Sequence, residues 1–161
     1  MTLTLVIIAY LVGSIPFGLI GKHIFKIEDP RTFGSKNIGA TNILRSGSKS
    51  AALFTLTLDM GKGLIIIISA EFLQMSSIPV VAIAVVLGHI FPIYLFFRGG
   101  KGVATFFGVL IGLNIVCGAL TLLSWLLVFL FFKKSSLAAL CSIALSNFFL
   151  FFLYPFPLTQ I

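Results

Sequence analysis

The segment Gly34-Ser35-Lys36-Asn37-Ile38-Gly39-Ala40-Thr41-Asn42 lies in the longest polar interval of the chain, residues 22–50. The runs on both sides are mostly apolar. The glycine, asparagine and hydroxyl residues predict tight turns that present several backbone N–H groups to one ligand. Such groups bind anions, and Lys36 and Arg45 add positive charge, so the segment suits a phosphate. A solvated loop between two membrane helices has the same composition and is the alternative interpretation.

The composition is that of an integral membrane protein. Of the 161 residues, 59% are hydrophobic and only 9% are charged, whereas soluble domains carry about 25% charged residues. Long apolar runs predict spanning helices. We expect one membrane-embedded domain over residues 1–161, without a signal peptide. The net charge of +7 fits loops that face an anionic lipid surface and does not indicate nucleic-acid binding.

The apolar runs predict an all-α bundle of about six transmembrane helices, the first of them kinked at Pro16. Residues 102–132 are long for one span and short for two, and a break near Gly112-Leu113-Asn114 would make two short spans. Every Lys and Arg except Lys62 then lies on one side, which the positive-inside rule makes cytoplasmic, with the N-terminus outside. The other predicted helices cover residues 2–21, 51–74, 78–97 and 135–154.

Asp59 and Lys62 fall inside the second apolar run, where each charge costs about 2.5–3.5 kcal/mol on membrane insertion. Because they are three residues apart, the two side chains share a helix face and can pair. One interpretation is a self-neutralising pair that faces the bundle interior. The other is a component of a site, in which Asp59 holds Lys62 in position for an anion.

A second glycine-rich segment, Arg98-Gly99-Gly100-Lys101-Gly102, follows His89 and Pro92. Pro92 removes a hydrogen bond to the carbonyl of Gly88, so the backbone there should be open. The segment is not a Walker A loop, because Lys101 is followed by glycine rather than by Ser or Thr. Its glycines and cations can still wrap a phosphate, although a tight interhelical turn has the same composition. His89 is either a satisfied core histidine or part of the site.

In combination these segments resemble the bacterial acyl-phosphate:glycerol-3-phosphate acyltransferases, the PlsY family. The resemblance covers residues 5–135, and three ordered motifs with rare intramembrane groups make it specific. Lys36 departs from the pattern, since a glycine is usual at that position. The matching motifs are Asp29-x-Arg31-x-x-Gly34-Ser35, Asp59-x-x-Lys62-Gly63, and Gly88-His89-x-Phe91-Pro92 continued by Gly99-Gly100-Lys101-Gly102-Val103-Ala104-Thr105.

The resemblance implies a reaction and its setting. Acyl phosphate and sn-glycerol 3-phosphate would give lysophosphatidate and phosphate, the first acylation of phospholipid biosynthesis. The expected protein is a monomer among the membrane lipids of the bacterial inner membrane, with no cofactor and no nucleic-acid partner. Family members resemble seven-helix bundles whose last helix leads into a cytoplasmic His-x-x-Asn-Ile-x-x-Leu segment. This sequence has no match to that segment, so we expect the last helix to be absent.

Two other classes stay open. One is a truncated, non-catalytic membrane protein that binds phosphate or lipid. The other is an anion transporter, which also has glycine-broken helices and buried charge, although no inverted repeat is visible in the sequence.

An acyl phosphate is already an activated mixed anhydride, so its transfer needs no Ser or Cys nucleophile. The predicted catalytic residues are His89, Ser35 and Arg45. His89 either hydrogen-bonds the substrate or takes the attacking proton, and a substrate phosphate could serve as the base instead. No metal site is predicted, because two His and four acids form no ligand cluster. The predicted substrate-binding residues are Gly34, Asn37, Gly39, Thr41, Asn42, Lys62, Gly99, Gly100, Lys101 and Gly102.

Overall fold

The computed structural model describes residues 2–153, and every regular element in that range is a helix. Five of its segments are long and apolar enough to cross a membrane, and a shorter apolar helix covers Val103–Leu113. The predicted all-α architecture is therefore confirmed, while its sidedness stays a prediction. The five segments are Thr2–Phe25, Lys49–Phe72, Ile78–Leu95, Ile115–Phe132 and Ser135–Leu153.

Between residues 2 and 153 the chain forms eight α-helices and two short 3-10 turns, Leu44–Ser46 and Ile93–Leu95. It divides after Val109 into two compact units. The single domain over residues 1–161 stays a prediction. The helices are α1 (Thr2–Gly13), α2 (Phe17–Phe25), α3 (Ala40–Ile43), α4 (Lys49–Phe72), α5 (Ile78–Ile90), α6 (Val103–Leu113), α7 (Ile115–Phe132) and α8 (Ser135–Leu153).

Pro16 breaks the first spanning segment, as predicted. Helix α1 ends at Gly13 and α2 begins at Phe17, because proline has no N–H to continue the helix. The break leaves the carbonyl of Ile15 outside the helical ladder, where it accepts a hydrogen bond from Nζ of Lys62 at 3.1 Å. A buried carbonyl needs such a partner. The break between α1 and α2 thus provides a backbone acceptor for the charged side chain of Lys62 in α4.

Helices α1 and α5 approach each other through glycine. A Cβ on Gly13 would clash with the carbonyl oxygen of Val85, and a Cβ on Gly88 would clash with that of Tyr10. Small residues permit such close helix contacts in membranes. The hydroxyl of Tyr10 also donates to the carbonyl of Phe91 at 2.7 Å. Helix α1 therefore holds the end of α5, after which the second glycine-rich segment follows.

Helix α5 ends at Ile90, so the predicted continuation to Phe97 was wrong. Pro92 cannot donate a helical hydrogen bond, and it disfavours the helical conformation of the residue before it. Phe91 accordingly has φ −121° and ψ 63°. The chain then makes a short 3-10 turn, and Phe97 adopts a left-handed backbone with φ 63°. This turn brings the glycine-rich segment back towards the end of α5.

The predicted break near residue 113 is confirmed, since α6 ends at Leu113 and α7 begins at Ile115. The side chain of Asn114 caps α7 by accepting from the N–H of Cys117 at 3.0 Å, and it donates to the carbonyl of Leu153 at 3.2 Å. Helices α7 and α8 pack against each other. At about 1.5 Å per residue the 11 residues of α6 span about 16 Å. This is too short for a bilayer core of about 30 Å.

Candidate functional site

Asn42 organises the first glycine-rich loop from inside. Its side chain is buried, and Oδ1 accepts a hydrogen bond from the N–H of Ser35 at 2.9 Å. Its Nδ2 donates to the carbonyls of Pro30 at 2.7 Å and Asn37 at 2.9 Å. Each such group would cost about 1–3 kcal/mol if it were buried without a partner. The role of Asn42 in substrate binding stays a prediction, and its amide is already engaged in shaping the loop.

Gly34 makes room for the side chain of Arg45. It has φ +55°, and a Cβ there would clash with Asn42 and lie 3.1 Å from Nη1 of Arg45. Only glycine combines that backbone with that contact at little cost. Ser35 and Arg45 are exposed and Thr41 is half-buried. Within residues 2–153 Arg45 has no ion-pair partner, so its guanidinium is open to an anion.

The remaining residues of the loop are fixed by short-range bonds and by packing. Oδ1 of Asn37 accepts from the N–H of Gly39 at 2.9 Å. The carbonyl of Ile38 lies against Gly18 of α2, where a Cβ would clash with it. Lys36 has φ +56°, a conformation that glycine adopts without steric penalty.

Asp29 neutralises two cations at the start of the loop. Its carboxylate accepts from Nη2 of Arg31 at 2.7 Å, from Nε of Arg31 at 3.0 Å and from Nζ of Lys22 at 3.0 Å. The hydrogen bonds from Arg31, with the help of Lys22, hold the pKa of the Asp29 carboxyl well below its usual range. The carboxylate in turn raises the pKa of Arg31. The acid is thereby occupied by Arg31 and Lys22.

Three buried ionisable side chains meet where α4 packs on α5. Nζ of Lys62 lies 2.8 Å from Oδ1 of Asp59 and 2.9 Å from Nδ1 of His89. The carbonyl of Ile15 supplies a third acceptor. All three side chains are at most 5% exposed. The predicted pairing of Asp59 with Lys62 is confirmed, whereas the contact with His89 was not predicted. The role of Lys62 in substrate binding stays a prediction, and its ammonium is already surrounded by acceptors.

The second glycine-rich segment lies directly against His89. The N–H of Gly100 donates to the carbonyl of His89 at 3.0 Å, and that of Gly99 donates to the carbonyl of Ile90 at 3.1 Å. These carbonyls are free because Pro92 ends the helix. A Cβ on Gly100 would clash with Nε2 of His89. The structure thus brings Gly99, Gly100 and His89 together. The N–H groups of Gly99 and Gly100 are already hydrogen-bonded to the backbone of α5.

The next residues of the segment leave their donors open. The N–H groups of Lys101, Gly102 and Val103 make no hydrogen bond to any group of the described chain. Lys101 is exposed and pairs with no acid of residues 2–153. Gly102 has φ +77°, which turns the chain into α6. Three backbone donors and one ammonium are therefore available to an anion at this turn.

One cleft lies between the residues that lead into the two glycine-rich segments. Arg31, three residues before Gly34, lines one side, and Leu95, Phe96 and Arg98 line the other. Phe96 is 89% exposed, so the cleft lies beside apolar surface. Arg98 has no ion-pair partner among the residues described. A ligand with an anionic head and an apolar tail fits these walls.

Sequence reasoning missed a support of this turn. Oγ of Ser14 receives the N–H of Ile93 at 3.4 Å, beside the bond from Tyr10 to Phe91. Tyr10 donates and Ser14 accepts, and both are polar side chains in or next to an apolar helix, where such residues form interhelical bonds in membranes. That signal could have found them. Across the described residues no group of three His, Cys, Asp or Glu is placed to hold a metal ion.

A family model described as glycerol-3-phosphate acyltransferase matches residues 3–161. The protein of that name from Nitrosospira multiformis is 49% identical over 158 residues, which cover 94% of this chain and 78% of the relative. The one from Coxiella burnetii is 49% identical over 139 residues, covering 85% of this chain and 72% of the relative.

Two crystal structures of PlsY, described as an integral membrane glycerol 3-phosphate acyltransferase, have the same fold. The glycerol 3-phosphate form has a TM-score of 0.85 and 38% identity, and the match covers 92% of this chain and 76% of that one. The lysophosphatidic acid form has a TM-score of 0.84 and 37% identity, covering 92% and 75%. These likenesses and the apolar helices make this a multi-pass membrane protein. The chain matches these relatives in sequence and these crystal structures in fold over most of its length. It therefore belongs to the glycerol-3-phosphate acyltransferase family.

Proposed function

We propose that this protein transfers the acyl group of an acyl phosphate to the 1-hydroxyl of sn-glycerol 3-phosphate in phospholipid biosynthesis. The products are lysophosphatidate and phosphate. The observation that carries the proposal is a pair of glycine-rich segments, each with an exposed cation that has no ion-pair partner in the described chain, Arg45 or Lys101. Arg31, just before the first segment, and Arg98, at the start of the second, line a common cleft. Both substrates carry a phosphate, so each loop has an anion to bind.

The first loop binds glycerol 3-phosphate. Arg45 binds the phosphate of this substrate, since a guanidinium can donate two parallel hydrogen bonds to phosphate oxygens. Ser35 lies next to Gly34, on which the Arg45 side chain rests, and it adds a hydroxyl donor. Thr41 supplies a second hydroxyl. Gly34, Asn37, Gly39 and Asn42 serve this site by giving the loop its shape.

The second loop binds the phosphate of the acyl donor. Lys101 and the open N–H groups of residues 101–103 form the cradle, and oriented N–H groups of this kind bind anions. Gly99 and Gly100 keep the cradle against α5 through their own hydrogen bonds. The acyl tail leaves along exposed Phe96 towards membrane lipids.

The chemistry needs no nucleophile from the protein. The 1-hydroxyl oxygen attacks the acyl carbon, the bond from that carbon to the phosphate oxygen breaks, and the phosphate leaves with the electron pair and takes the hydroxyl proton on one of its oxygens. Holding two bound substrates in line is worth about 7–11 kcal/mol of the barrier. Cations at the departing phosphate stabilise the charge that develops there. Binding, orientation and electrostatics are thus the work of the chain's own residues, without a cofactor.

The proposed setting is the bacterial inner membrane. Residues 1–161 act as one membrane-embedded domain and as a monomer among lipids. Both glycine-rich loops face the cytoplasm, because the positive-inside rule places loops rich in Lys and Arg there. Glycerol 3-phosphate is charged and water-soluble, so it would reach the loops from the aqueous side while the acyl phosphate arrives from the bilayer.

The test is a product assay on the purified full chain in lipid nanodiscs. Palmitoyl phosphate and labelled glycerol 3-phosphate should give labelled lysophosphatidate and one phosphate per turnover. Binding of glycerol 3-phosphate without any product would instead indicate a non-catalytic phosphate- or lipid-binding protein. Uptake of phosphate into vesicles without product would indicate a transporter. Either outcome would overturn the proposed transfer.

A further inference from the structure

His89 has two chemical roles open to it, hydrogen-bond donor or proton acceptor, and the contacts of its ring separate them. Its Nδ1 lies 2.9 Å from Nζ of Lys62 and 3.4 Å from Oδ1 of Asp59. Its Nε2 lies against the backbone of Gly100 and makes no hydrogen bond to any group of residues 2–153. One ring nitrogen is thus engaged inside the bundle, while the other faces the glycine-rich segment.

The contact with Lys62 fixes which ring nitrogen carries the proton. An ammonium has only donors, so a contact of 2.9 Å requires a lone pair on Nδ1 of His89. The Asp59 carboxylate lies closer to Nζ of Lys62, at 2.8 Å, than to Nδ1 of His89, at 3.4 Å. The charge therefore sits on Lys62. A neutral imidazole with a free lone pair on Nδ1 carries its hydrogen on Nε2.

We infer that Asp59 and Lys62 hold His89 as the tautomer protonated at Nε2, and that this N–H donates to a phosphate oxygen of the acyl donor at the glycine-rich segment. Asp59 and Lys62 are then positioning residues, because they act through His89. His89 cannot take the proton of the attacking hydroxyl at Nε2, since that atom already carries one.

The same arrangement explains why residue 100 is glycine. Any side chain there would displace the imidazole edge. The main chain on both sides is tied to α5, since Gly99 and Gly100 donate to the carbonyls of Ile90 and His89. The ring and the segment therefore form one unit, with the Nε2 edge of His89 turned towards Gly100.

The tautomer can be read directly from the ¹⁵N spectrum of histidine-labelled protein in nanodiscs. The chain has two histidines, so the variant His23→Gln leaves His89 as the only imidazole. We expect one protonated-type signal, from Nε2, and one unprotonated-type signal, from Nδ1. The variant Lys62→Met should lose this preference and show a mixture. The reverse tautomer, or two protonated nitrogens in the wild-type trio, would overturn the inference.

The role in transfer rests on the proposed function, and a pair of variants tests it. His89→Gln keeps an N–H donor but cannot take a proton, whereas His89→Leu can do neither. Loss of a general base costs about 100- to 10,000-fold in rate, so a kcat for His89→Gln within about tenfold of the wild type excludes that role. We expect this result, with His89→Leu much slower. Equal losses in the two variants would overturn the donor role. If the wild-type chain forms no product, the proposed function fails while the spectrum still decides the tautomer.

Discussion

Arg45 and Lys62 are both cations of the proposed site, yet their surroundings differ. Arg45 is exposed beside Gly34 and has no ion-pair partner in residues 2–153. Lys62 is buried among a carboxylate, an imidazole and a carbonyl. Both lie in motifs that the sequence alone assigns to anion binding. The difference teaches that the partners of a cation, rather than its motif, decide whether it is available to a substrate.

The largest expected effect comes from breaking the buried trio. Lys62→Met leaves the carboxylate of Asp59 without its cation, and breaking a buried ion pair costs about 3–5 kcal/mol. We expect a loss of that size in the free energy of unfolding, measured by thermal or denaturant unfolding in detergent micelles. The double variant Asp59→Leu/Lys62→Met should recover most of it, since an apolar pair of similar volume is often as stable.

The matched control is Lys49→Met, which removes an exposed cation from the start of the same helix. It should unfold like the wild type. If Lys62→Met also unfolded like the wild type, or if the double variant were as unstable as the single one, Lys62 would not be the counter-ion of a buried acid. The contrast with Arg45 would then be lost.

The next effect concerns activity at the open cation. Arg45→Ala should lower kcat/KM for glycerol 3-phosphate by about 10- to 100-fold, because a hydrogen bond to a charged group contributes about 1.5–3 kcal/mol. Its free energy of unfolding should stay near that of the wild type, because the side chain has no ion-pair partner within the described residues. Lys49→Ala is the control and should keep its turnover. A normal kcat/KM in Arg45→Ala would remove that residue from the site.

Local chemistry made part of this molecule predictable. Pro16 and Asn114 mark breaks that the structure shows, because proline lacks a donor and asparagine caps a helix. The pairing of Asp59 with Lys62 followed from their spacing on one helix. Apolar residues continue past Pro92, however, and hydrophobicity does not separate a helix from a 3-10 turn. The end of α5 at Ile90 was missed for that reason.

Contacts between distant parts of the chain were not predictable. His89 meets Lys62 across 27 positions, and a single sequence does not say which helices are neighbours. Asn42 presents the opposite difficulty, since an asparagine in a glycine-rich loop looks the same whether it faces a ligand or its own backbone. Its four-way bonding inside the loop became visible only in the fold.

A smaller effect is expected at Lys36. Its left-handed backbone, φ +56°, favours glycine. Glycine removes strain from the folded state but also raises the conformational entropy of the unfolded state, and the first contribution is larger by about 0.5–1 kcal/mol. Lys36→Gly should therefore raise the free energy of unfolding. Lys26→Gly is the matched control, because Lys26 has φ +52° at the end of α2. Only Lys36→Gly should raise KM for glycerol 3-phosphate, by about two- to fivefold. An equal rise in KM in both variants would mean that the effect does not arise in the first glycine-rich loop.

The smallest effect is the pH dependence of the Asp29 cluster. Because Arg31 and Lys22 hold the pKa of the Asp29 carboxyl well below its usual range, its stabilisation is fully present above the unfolded value of about 4 and is lost as pH falls through the folded value. The difference in unfolding temperature between wild type and Asp29→Asn should stay constant from about pH 8 to about pH 5 and shrink below about pH 4. A difference that did not shrink in acid would mean that Asp29 is not ion-paired in solution. Lys22 and Arg31 would then lack a counter-ion, as Arg45 does in the described chain, and the polar interval would no longer contain both paired and open cations.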